Sequence, residues 1–180
     1  MIRVGGNRDL RSMLDRSESD CSSIAEQVAS LEAIRREIPH TIFPVAPHHP
    51  LRPDTPEADY ACYAFALELT REPLDTESGA AGFAFVEWLL RRHLLRPSPG
   101  EAVPHHGIAL YRHEGQVRHA AVTWHGRVLS KWGLGSLCEH ELAEVPESYG
   151  DECEFFEYPT GTLLTDAWKA YRLRAASPSH

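Results

Sequence analysis

Near residue 100 the spacing of apolar residues changes from a helical period to alternation. Upstream, Ile24, Val28, Leu31, Ile34 and Ile38 recur at intervals of three and four, which places them on one face of a helix. Ser23-x-x-Glu26 ahead of them is a capping box. Residues 61–70 and 80–95 carry two further helical patterns; the first is apolar almost all round, with Asp59 placed to cap it. Downstream, 107–111, 117–124, 127–132 and 153–158 read as strands. Glu114-Gly115 and the two-residue His125-Gly126 turn separate the first three. Helices first and an antiparallel meander second define an α+β domain.

The remaining segments set the boundaries. Residues 1–21 read as a polar N-terminal arm. Residues 22–58 hold the first helix and a loop in which Pro44, Pro47, Pro50, Pro53 and Pro56 recur every third position, a stiff polyproline-like stretch. A short edge strand is expected over 41–45, and a loop or short helix over 137–145. Residues 59–160 form the core, and 161–180 a last helix and tail.

Composition excludes several functions. The chain has 180 residues, 42% of them hydrophobic, enough for one core without staples. A net charge of −8 argues against nucleic-acid binding. No apolar run reaches the roughly 20 residues of a spanning helix, so no membrane partner is expected. The first twenty residues lack a signal-peptide pattern, which points to the cytoplasm, with secretion by a signal-independent route still open. Cys21, Cys62, Cys138 and Cys153 share no C-x-x-C spacing and should be free thiols. His48-His49 and His105-His106 are pairs without acidic or cysteine ligands at set spacing, so neither a metal nor a cofactor is expected.

Cys62 differs from the other cysteines, because it opens a buried helix whose N-terminal amides favour a thiolate. A thiolate nucleophile needs a base, and the base an orienting group. If His125-Gly126 is a two-residue loop, Trp124 faces Arg127, Thr123 faces Val128 and Val122 faces Leu129. His119, Ala121 and Thr123 then share a face with Val128, Ser130 and Trp132. The small Ala120 and Ala121 beside His119 suit close packing by the Cys62 helix. Lys131 should point the other way.

In this order, a Cys at a helix start, a His on a strand and a polar residue on the next strand, the chain resembles the papain-like cysteine hydrolases of the NlpC-like and CHAP-like branch. Tyr60-Ala61-Cys62-Tyr63-Ala64, Arg118-His119-Ala120-Ala121, Ser130-Lys131-Trp132-Gly133, Glu139-His140 and Ser148-Tyr149-Gly150-Asp151 resemble, more closely, an uncharacterised bacterial family of that superfamily. The resemblance spans about residues 58–158. It implies a papain-like core and a Cys62–His119–Ser130 triad, with His140 as the alternative third residue and the Cys62 backbone N–H in the oxyanion hole.

The implied activity is thiol-dependent hydrolysis or transfer at an amide, of peptidase, amidase or deamidase type, on a peptide-like or protein substrate. The alternatives are an inactive binding or immunity-type module on the same scaffold, which would bind a partner protein, and a toxin or effector with the same chemistry. The sequence leaves the oligomeric state open.

Overall fold

The computed structural model describes residues 1–20, 23–38, 41–72, 79–100, 102–132 and 137–176. Cys21 and Gly133 lie outside the described residues. Seven strands, β1 (Ile2–Arg3), β2 (Phe43–Pro44), β3 (His106–His113), β4 (Gln116–Trp124), β5 (Arg127–Lys131), β6 (Leu137–His140) and β7 (Glu152–Glu157), form one sheet. Its order is β1-β7-β3-β4-β5-β6-β2, with every pair antiparallel. The helices are α1 (Arg8–Ser19), α2 (Ile24–Glu37), α3 (Cys62–Ala66), α4 (Gly79–Arg91) and α5 (Leu163–Ala176). The chain is thus an α+β domain. Among the described residues, no helix is long and apolar enough to cross a membrane.

The sheet has a core on each face. Ala120, Val122, Leu129 and Leu137 join Tyr63, Phe65, Phe85, Leu89 and Trp168 of α3, α4 and α5 on one side. Ala109, Tyr111, Ala121, Val128 and Trp132 join Leu10, Leu14, Leu31 and Ile34 of α1 and α2 on the other. Alternation along each strand divides the apolar residues between the two layers. α4 packs closely on α3 because Gly82 lies under the Tyr63 ring, where a Cβ would stand 1.9 Å from Cε1.

The β4–β5 turn has the expected register. His125 (φ +50°) and Gly126 (φ +81°) are both left-handed, as a tight hairpin turn requires. Trp124 opposes Arg127, Thr123 opposes Val128 and Val122 opposes Leu129. Ser23 caps α2 by accepting the Glu26 N–H at 3.3 Å.

Three expectations are corrected. Residues 8–19 form a helix rather than an arm: Asn7 Oδ1 accepts the Asp9 and Leu10 N–H groups, and Leu10, Arg11, Leu14 and Ser17 turn inward. The helix at residue 62 has five residues, not ten. Ala61 stands at its N-cap without a side-chain hydrogen bond, and Glu68 turns left-handed (φ +53°) just past its end. Residues 137–140 form β6, paired with β5 from Val128↔His140 to Lys131↔Leu137; its four residues are too few for alternation to be read reliably.

Candidate active site

The sheet opens between β4 and β5. Their ladder runs from Trp124↔Arg127 to Val122↔Leu129 and stops. Beyond it β4 remains paired with β3 as far as Gln116, and β5 with β6 as far as Lys131. Continued register would aim the Ala120 N–H at Lys131. α3 packs on both strands there, and the Ala120 and Tyr63 backbone N–H groups lower the Cys62 thiol against the larger effect of burial. The first residue of α3 therefore enters the sheet where a strand-to-strand hydrogen bond is missing.

His119 supplies the other half of the same peptide unit. Its ring leaves β4 toward the α1/α2 side, with its centroid 3.8 Å from that of Tyr149 at an interplanar angle of 9°. The Tyr111 ring is 5.8 Å away. His119 is 1% exposed, and its Nε2 is buried with no hydrogen-bond partner among the described residues. Burial holds the imidazole well below its ordinary range, and the nearby His140 and Lys131 lower it further. It is neutral at physiological pH.

The expectation that the Cys62 helix covers the His119–Ala121–Thr123 face is corrected. α1 and α2 cover it, while α3 packs against Ala120, Val122 and Leu129. Cys62 meets β4 at the backbone beside His119, from the opposite layer. The expected thiolate is corrected too: burial pushes the half-buried Cys62 thiol up to about 11, and the two N–H groups and Lys131 only partly oppose this. A helix of five residues offers little field against such desolvation.

Ser130 and His140 are bonded to each other. Ser130 Oγ lies 2.8 Å from His140 Nε2 and accepts the Trp132 Nε1–H at 2.6 Å. His140 Nδ1 lies 2.8 Å from the Glu141 carbonyl oxygen. A carbonyl only accepts, so Nδ1 carries the proton and Nε2 accepts the Ser130 hydroxyl. Every polar atom of this buried chain is satisfied with the imidazole neutral. Burial lowers His140 to about 4. Ser130, expected to hold the His119 ring, is committed elsewhere.

Two residues close the site that the sequence reading did not assign to it. Lys131 is 1% exposed, with Nζ 5.7 Å from the Tyr60 ring centroid. Burial lowers its ammonium, and Glu57, Cys62 and Glu18 offset part of that. It points away from Ser130, as alternation required, and this is the side from which Cys62 enters. Tyr149 belongs to the Ser148–Asp151 stretch, where Gly150 (φ +111°) passes so close to the Arg112 carbonyl that a Cβ would fall 2.0 Å from its oxygen. Ser148 N–H donates to Asp15 Oδ1 at 3.0 Å. The Arg11 guanidinium donates to the carbonyls of Val4, Val145, Pro146 and Gly150. α1 therefore fixes the segment that presents Tyr149 to His119.

Cys138 and Cys153 are buried free thiols, pushed up by burial, Cys138 to about 12. Among the described residues, no group of three or more His, Cys, Asp or Glu side chains could hold a metal ion. A cleft of about 340 Å³ lies along the α3–β4 seam, between Pro50–Pro53 and Phe65, Glu68, Arg71 and Val122.

Residues 52–157 match the family described as a domain of unknown function, DUF7689, and the chain belongs to that family. The match covers β3 to β7, Cys62, His119, Ser130, Lys131, His140 and Tyr149, but not α1 or α2. No curated protein and no solved structure matches the chain.

Proposed function

We propose that the chain is a papain-like, thiol-dependent hydrolase or transferase acting on an amide, with Cys62 as nucleophile and His119 as base. One observation carries this reading: α3 packs on both β4 and β5 where their ladder stops, which sets Cys62 against the backbone of Ala120, the residue after His119. The resting pair is a neutral thiol and a neutral imidazole, because burial disfavours charge on both. The proposed step needs the His119 ring to turn from the α1/α2 layer toward the opening between β4 and β5; as sulfur attacks the carbonyl carbon, the thiol proton then passes to His119. The oxyanion takes the Cys62 backbone N–H. Collapse of the tetrahedral species breaks the C–N bond, and the imidazolium returns its proton to the leaving amine. Water or a second amine then takes the acyl group from sulfur.

Tyr149, lying flat on the ring, orients His119 in place of a hydrogen-bonded third residue. Lys131 is a positioning residue whose ammonium favours negative charge on sulfur.

A second reading is a binding module that has lost catalysis, and the raised Cys62 thiol favours it. The test is an electrophilic acyl probe on the folded chain, read by peptide mass spectrometry. The hydrolase reading expects one adduct per chain, at Cys62, lost in His119→Gln, with circular dichroism showing that the variant folds. No adduct at Cys62 and no turnover over a panel of peptide, glutamine-amide and ester substrates would leave the binding module.

A further inference from the structure

The far end of the β3–β4 hairpin carries a histidine pair that adjacency in the sequence does not reveal. His106 opposes Trp124 at the last rung of that ladder. One residue beyond, the His125 N–H donates to the His105 carbonyl at 2.8 Å. His105 and His125 are thereby held opposite each other. Their ring centroids lie 4.1 Å apart with planes at 64°, and both residues are exposed. His106 is drawn off by the Tyr158 ring, stacked at 4.6 Å and 10°. The adjacent His105-His106 pair is thus split, and a new one is made across the strands.

We propose that His105 and His125 form a two-imidazole site for a borderline divalent transition-metal ion, with water completing the shell. Imidazole nitrogen suits zinc, copper and nickel. With metal–nitrogen bonds of about 2.0–2.1 Å, two rings on one tetrahedral ion have centroids roughly 5 Å apart. Exposed side chains reach that spacing by rotation about χ1 and χ2 alone. The backbone hydrogen bond and the tight turn have already fixed the Cα positions, so the second imidazole binds as an intramolecular ligand. A chain of net charge −8 also draws cations to its surface. The open coordination positions would take an exogenous donor.

Trp124 reports on the site, with its ring 4.7 Å from that of His125 and 6.2 Å from that of His105. The experiment titrates the full chain with nickel(II), which does not oxidise the thiols, and follows calorimetric heat and tryptophan emission. One saturable site per chain is expected, with emission quenched, and Trp124→Phe removes the quench while leaving the heat. His105→Ala and His125→Ala should each weaken binding by about tenfold or more. The double variant should show no saturable site, because each single variant still keeps one imidazole that binds the ion without chelation. His48→Ala and His49→Ala should bind as the parent chain does. Parent-like binding by either single variant or by the double variant, or equal weakening by His49→Ala, would each overturn the proposal. All the altered side chains are exposed or half-buried, and melting temperatures check that each variant folds.

Discussion

His119 lies flat against Tyr149, with ring centroids 3.8 Å apart and planes within 9° of parallel. The contact joins the strand that borders the Cys62 thiol to the segment pinned by Arg11 and Asp15. Tyr149→Leu should release the imidazole. In the proposed reaction kcat should fall about tenfold or more, with KM nearly unchanged, and Tyr149→Phe should restore it. A rise in KM with kcat intact would assign Tyr149 to substrate binding instead.

Thiol reactivity should follow burial. Cys62 is expected to alkylate before Cys138 and Cys153, with a pH midpoint near 11, above the free-thiol value of about 8.5. Lys131→Met should leave the midpoint nearly unchanged, because burial lowers the Lys131 ammonium and it has lost its charge before the thiol titrates. Iodoacetamide rates from pH 6 to 11, read by mass spectrometry, check both. A midpoint below 8.5 would mean that the helix start and Lys131 outweigh desolvation.

Acid should destabilise the fold through its buried histidines. His140 stays neutral in the folded chain down to about pH 4, whereas an unfolded chain protonates it near 6.5. The unfolded state therefore binds more protons in this window. The stabilisation, about 3 kcal/mol, is complete above pH 6.5 and is lost as pH falls through 4. His119 acts in the same direction. Urea denaturation at pH 7, 5.5 and 4 measures the slope, which should be shallower in His140→Gln. Equal slopes would show that His140 does not contribute.

Ser130→Ala removes the atom that links Trp132 to His140. Two buried nitrogens then lose their partner, which costs about 1–3 kcal/mol each. The expected result is a large drop in melting temperature. A loss of activity at unchanged stability would restore Ser130 as the group that orients His119.

Arg11→Lys keeps the charge but loses the planar fork that reaches four carbonyls. It should destabilise the domain by about 3 kcal/mol, measured by denaturant unfolding. A change below 0.5 kcal/mol would mean that the carbonyls find other donors.

Much of this was legible in the sequence, for local reasons. The His125-Gly126 turn fixed the β4–β5 register, and register fixed which residues share a face. That is why Ser130 and Lys131 fell on opposite sides as expected. The layer that would cover each face depends on long-range packing, which no local pattern encodes. α1 was hidden by its polar composition, since only a narrow stripe of it is buried. The Ser148–Asp151 stretch stood out in the sequence, but its purpose required the Gly150–Arg112 approach and the His119 stack, between segments far apart in the chain. The thiol's direction was missed because burial depends on what surrounds the helix start.

The pairing of β1 with β7 bears on how the chain assembles. Ile2 opposes Cys153 and Arg3 opposes Glu152, so the sheet's outer strand joins segments far apart in the sequence. About 150 residues must be looped out before those contacts form, an entropic cost that local hairpins do not carry. The β1 segment therefore has no partner, and the stripe of α1 beside it stays uncovered, until β7 is in place. Arg11 and Asp15, which hold the segment bearing Tyr149, follow β1 directly, so that segment is fixed together with the long-range closure rather than with the hairpin that bears His119.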